Sequence, residues 1–156
     1  MKSRVVKGHK KYLEDCKEAV LHSKLGQVYF DAETNLLSDL ANGMENEELF
    51  VAVGDDGACQ GFIWFVLKGA FHSFPYLHII AVKEAFRCQG IGKQLLDFFE
   101  ETVFVDSSKI FLVVADFNPE AKQLFESLGY KQVGEISGLY KDGVTEYLMM
   151  KRKDGR

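Results

Sequence analysis

The residues best able to do chemistry as a set are Arg87, Cys88, Gln89, Gly90, Ile91, Gly92 and Lys93, which stand between an extended stretch and a long helical one. Glycines at 90 and 92 let the backbone approach a ligand closely. The first amides of a helix have no partner within it, so they point at any anion placed there. A pyrophosphate satisfies that arrangement, and Arg87 and Lys93 add positive charge. Two other phosphate motifs are excluded: the dinucleotide fingerprint needs a third glycine where Leu95 stands, and no window reads GxxxxGK[ST]. Upstream, His78 shares one strand face with Tyr76, Ile80 and Val82 by the period of two, and its imidazole is a candidate for taking up a proton.

Those residues need a sheet and a helix to position them. Residues 3–6 read as a first strand, and Tyr12, Leu13, Cys16, Ala19 and Val20 recur at helical spacing, predicting a helix over about 10–23. Asp31 is the expected N-cap of a second helix with Leu36, Leu37 and Leu40 on its apolar stripe, ending near Asn42-Gly43. From Leu49 the period changes to that of strands: LFVAV, a GDDGA turn, CQGFIWFVL and FPYLHIIAV. Ile91, Leu95, Leu96, Phe99 and Val103 mark the long helix after the glycines. KIFLVVA is a further buried strand. Asn118-Pro119 then starts a helix with Ala121, Leu124, Phe125 and Leu128 on its apolar face, and Gly129 ends it. KQVGEI and VTEYLMMKR are the last strands, with an Asp142-Gly143 turn between them. The order β-α-α-β-β-β-α-β-α-β-β predicts an α/β protein, residues 1–156 forming a single domain.

Composition narrows the partners. A formal net charge of −4 argues against a general nucleic-acid or anionic-membrane binder and suits a cationic small molecule better. Cys16, Cys59 and Cys88 form no CxxC pair, so neither a disulfide framework nor a cysteine-based metal site is expected. The basic N-terminal residues precede no apolar run, and no stretch has the length of a membrane span. A cytoplasmic, soluble protein with no metal is the expectation.

Arg87, Gly90 and Gly92 meet the pattern [QR]-x-x-G-x-[GA] after a strand and at the start of a helix, and NPEAKQLFESLGY meets N-x-x-A-x-x-L-[YF]-x-x-x-G-[FY]. In both, the chain resembles the GNAT superfamily of acyl-CoA-dependent acetyltransferases. The likeness covers about residues 49–150 closely and the first 48 by helix order only. It implies a mixed, mostly antiparallel sheet of six to seven strands with helices on both faces, opened by an acyl-CoA wedge between two central strands. It further implies that the backbone of Ile80, Ala81 and Val82 bonds the pantetheine arm of acetyl-CoA like an added strand. The amides of residues 87 to 93 would hold the pyrophosphate, and Asn118 and Phe125 would line the thioester end. A homodimer is a further implication.

The implied reaction is N-acetylation of a primary amine, on a small molecule or a peptide, by direct attack within a ternary complex. An alkyl amine has a pKa of about 10 and must lose a proton before it attacks. LHIIAV is similar to the corresponding strand of the arylalkylamine N-acetyltransferases, where a histidine at the position of His78 serves the proton relay. A backbone N–H near Val82 would stabilise the developing oxyanion. The chain departs from the pattern at the acid: counting four residues from Ala121 gives Phe125, where many relatives carry a tyrosine. Tyr140, before the Asp142-Gly143 turn, is the candidate replacement. Two other readings stand beside this one: a non-catalytic acyl-CoA-binding sensor of the same fold, and a protein N-terminal or lysine acetyltransferase.

Overall fold

The computed structural model describes residues 3–23, 26, 29 and 33–154, with the backbone alone at 33 and 34. Its strands are β1 (Arg4–Lys7), β2 (Leu49–Val53), β3 (Cys59–Ala70), β4 (Phe74–Val82), β5 (Lys109–Ala115), β6 (Lys131–Ser137) and β7 (Thr145–Arg152). Its helices are α1 (Leu13–Leu21), α2 (Glu33–Glu45), α3 (Ile91–Val103) and α4 (Pro119–Ser127), with 3-10 turns at Lys10–Tyr12 and Glu84–Phe86. The strands form one mostly antiparallel sheet in the order β1-β2-β3-β4-β5-β7-β6, as the fold class expected from the sequence requires. Internal contacts divide the chain into two compact units, Met1–Phe65 with Ile79–Thr102, and Val66–His78 with Val103–Arg156.

In the first unit the period of two along β2 sends alternate residues to opposite faces. Leu49, Val51 and Val53 join Phe62 and Trp64 of β3 in a buried cluster with Cys16, Ala19 and Val20 of α1 and Leu36, Leu40 and Met44 of α2. Phe50 points the other way: its ring stacks 5.5 Å from Phe65 and lies 4.9 Å from Phe98 of α3, while Phe99 lies 4.7 Å from Phe65. Helices therefore cover both faces. Each buried aromatic contributes about 1.5–3 kcal/mol by leaving water, which is what fixes α3 and hence the turn at its start.

The elements expected from the sequence are present, with shifted bounds. The first helix starts in a 3-10 turn capped by His9, whose Nδ1 accepts from the Lys11 amide. The second does not end at Asn42-Gly43 but runs to Glu45. Gly43 serves packing there: a Cβ on it would sit 2.7 Å from the Trp64 ring, so only glycine admits that indole against the helix. Asp31, the expected N-cap, lies outside the described residues.

In the second unit β5 pairs antiparallel with β7 from Lys109↔Arg152 to Ala115↔Glu146, and β7 pairs with β6. β4 pairs in parallel with β5 at Tyr76 and Phe111. Ile110, Leu112, Met149 and Tyr130 are fully buried. Asn118 caps α4, its side-chain oxygen accepting from the Ala121 amide at 3.4 Å, with Pro119 at the first helical position. Leu124, expected on the apolar face of α4, is exposed instead.

Candidate active site

The burial pattern of β4 alternates as its sequence predicts. Leu77, Ile79 and Ala81 are buried, while Tyr76, Ile80 and Val82 are half-buried and His78 is exposed on the opposite face. In the first unit the end of β4 lies close to β3, because Gly61 carries no side chain: a Cβ there would stand 2.6 Å from the Ala81 carbonyl oxygen. The Lys83 amide then donates to the Gln60 carbonyl at 2.9 Å. The Lys83 ammonium pairs with Asp15 and Glu18 of α1.

The chain turns between Lys83 and α3. Cys88 (φ 63°) and Gly90 (φ 82°) both adopt the left-handed conformation, two positions apart. Alternating backbone hands of this kind gather main-chain N–H groups into an anion-binding concavity. The Gln94 amide donates to the Gly90 carbonyl at 3.0 Å, making Gly90 the N-cap, so the amides of Ile91, Gly92 and Lys93 lack acceptors within the helix. A Cβ on Gly90 would meet nothing within 4 Å, so the turn faces open space there. Beside it a surface groove of about 470 Å³ is lined by Val5, Gly90, Lys93, Gln94, Asp97, Phe98 and Glu101.

The side chains of the turn are engaged with the protein itself. Arg87 donates from Nε to the Val82 carbonyl at 3.2 Å and from its terminal nitrogen to the His22 carbonyl at 3.0 Å, stapling the turn to β4 and to the end of α1. Gln89 donates to the Ala85 carbonyl at 3.3 Å. Lys93 pairs with Asp97 one helical turn on at 2.8 Å, and that hydrogen bond holds its pKa above the ordinary lysine value. The turn thus offers an anion chiefly main-chain groups.

In the second unit Tyr76, His78 and Tyr140 come together. The Tyr76 and Tyr140 hydroxyls are 3.0 Å apart, and the Tyr76 and His78 rings are 6.2 Å apart. Burial first, then the bond to Tyr140, pushes the Tyr76 phenol well above its ordinary value, with the charge of Glu146 acting in the same direction. Phe125 packs edge-on against Tyr130 at 5.5 Å. Sequence reasoning named His78 and Tyr140 but treated Tyr76 only as a residue of the same strand face.

The chain belongs to the acetyltransferase (GNAT) family, whose model matches residues 11–130. It is 30% identical over 116 residues to an N-alpha-acetyltransferase of Sulfurisphaera tokodaii, covering 67% of this chain and 70% of that protein. It is 32% identical over 111 residues to an N-alpha-acetyltransferase of Saccharolobus solfataricus, covering 64% and 66%. The crystal structure of Ard1 from Thermoplasma volcanium superposes with a TM-score of 0.81 over 97% of this chain and 98% of that one. At 21% identity that last likeness speaks for the fold. No helix among the described residues is long and apolar enough to cross a membrane.

Proposed function

We propose that this protein transfers the acetyl group of acetyl-CoA to a primary amine, and that the α-amine of a peptide is the acceptor to test first. The observation that carries the cofactor half is the turn at 87–93, where two left-handed residues and the open start of α3 leave main-chain N–H groups without helical acceptors, which suits them to a pyrophosphate. The backbone of Ile80, Ala81 and Val82 would bond the pantetheine arm, and an N–H near Val82 would receive the charge that develops on the thioester oxygen. Arg87 helps by fixing the turn. The acceptor half rests on the names of the two archaeal relatives.

Chemically, the amine gives up a proton, with His78 or a water it holds as acceptor, and attacks the acetyl carbon. The bond to sulfur breaks, and the thiolate takes a proton or leaves as the anion, since thiols have a pKa near about 8.5. Asn118 and Phe125 belong to the same reading as neighbours of the thioester.

The test is thiol release from acetyl-CoA with peptides bearing free or blocked N-termini, polyamines and arylalkylamines. A free-N-terminus peptide is expected to accelerate release and its blocked, lysine-containing counterpart to leave it unchanged. Phe125, standing where a proton-donating tyrosine is common, favours the second reading of a non-catalytic acyl-CoA-binding module. Calorimetric binding of acetyl-CoA with no release for any amine would establish that reading instead.

A further inference from the structure

We propose that Tyr76 is a positioning residue for Tyr140, holding its phenol so that Tyr140 supplies the proton that Phe125 cannot. The inference rests on the acetyltransferase reading above and adds to it a residue and a division of roles.

The two tyrosines are 64 positions apart and come from different elements, β4 and the loop joining β6 to β7, yet their hydroxyls meet at 3.0 Å. Tyr76 is half-buried on its strand, opposite Phe111 of β5, whereas Tyr140 is 53% exposed. On β7, Glu146 is only 2% exposed, and its charge acts on Tyr76. These surroundings disfavour a negative charge on Tyr76: it is partly removed from water, and Glu146 repels an anion there. Tyr76 therefore keeps its proton and serves as a fixed hydroxyl. The exposed partner, in reach of solvent and of an acceptor, is the one suited to exchange a proton.

The step balances as follows. The acceptor ammonium loses one proton to His78 and on to water. As the nitrogen–carbon bond forms and the carbon–sulfur bond breaks, Tyr140 passes its hydroxyl proton to the departing sulfur. The second proton lost by the nitrogen restores Tyr140. One proton is released overall, and the products are the amide and the free thiol. Through this cycle the Tyr76 hydroxyl donates to the Tyr140 oxygen while that oxygen is negative, a charge-assisted bond stronger than the neutral one.

Tyr76→Phe, Tyr140→Phe and the double variant test the assignment in the full-length protein. Each single variant should lower kcat about ten-fold at unchanged KM for acetyl-CoA, and the double variant should fall no further, because both remove one device. A readout independent of turnover is trypsin cleavage after Lys141, next to Tyr140 and exposed. It should quicken several-fold in both single variants. Wild-type kcat in Tyr76→Phe, losses that multiply in the double variant, or unchanged cleavage after Lys141 would overturn the proposal. A wild-type protein that turns over no amine overturns the acetyltransferase reading itself, and the acid role of Tyr140 with it, while the cleavage rates still report whether Tyr76 holds the loop.

Discussion

The turn at residues 87–93 and the tyrosine pair at residues 76 and 140 are built from different material. The turn acts through its main chain, and its exposed polar side chains are engaged with the protein itself: Arg87 with the carbonyls of Val82 and His22, Gln89 with that of Ala85, Lys93 with Asp97. The pair acts through two hydroxyls brought together across 64 positions. A backbone site tolerates loss of a charged side chain but not a change of backbone conformation, and a hydroxyl site behaves the opposite way.

The largest effect should come from removing what anchors the turn. Phe99 is fully buried on α3 and packs 4.7 Å from Phe65, so Phe99→Ala should cost about 3–5 kcal/mol in a denaturant titration. A cost below about 1 kcal/mol, the level of a surface change, would mean that α3 is not held by its aromatic face.

Gly90→Val comes next. It places a β-branched residue at φ 82°, costing about 1–2 kcal/mol of stability. It also projects a side chain toward the ligand, and losing one or two amide bonds to an anion at about 1.5–3 kcal/mol each weakens coenzyme A binding about 100-fold. Arg87→Ala and Lys93→Ala should each weaken coenzyme A binding about ten-fold or less. If either charge variant loses more affinity than Gly90→Val, the turn works by charge and the contrast drawn here fails.

His78→Gln probes the second region. Turnover near neutral pH should fall by about 100-fold, the lower range for loss of a general base. The deficit should shrink as pH approaches that at which the acceptor amine deprotonates by itself. A deficit of equal size at every pH would make His78 a packing residue.

The smallest effect concerns Lys83. Burial disfavours its charge, but Asp15 and Glu18 outweigh that and raise its pKa above the ordinary 10.5. A cation whose pKa is raised by folding contributes stability in full below its unfolded value, and that contribution is lost as pH rises through the folded value. As pH rises beyond the ordinary lysine value of 10.5, the wild-type protein should therefore lose more stability than Lys83→Met. Parallel curves would show that the pair with Asp15 contributes nothing.

How much of this was legible in the sequence follows the same contrast. Gly90 announces a left-handed turn because glycine is the residue that adopts it freely, and the amphipathic period of α3 announces the helix. Cys88 shares that conformation, yet nothing in a cysteine advertises it. Gly43 looked like a helix end because glycine commonly ends helices, but its reason is the Trp64 ring 21 residues later, a tertiary demand that local pattern cannot carry. The meeting of Tyr76 with Tyr140 is of the same kind: each residue is ordinary in its own segment, and only the register of β4 on β5 and the return of β7 bring them within a hydrogen bond.

Cys88 offers the most direct test of the central claim, because it sits in the turn and is exposed while Cys16 and Cys59 are buried. Its alkylation by iodoacetamide should slow in a saturable manner as coenzyme A is added, with half-protection at the calorimetric dissociation constant. An alkylation rate indifferent to saturating coenzyme A would contradict the account.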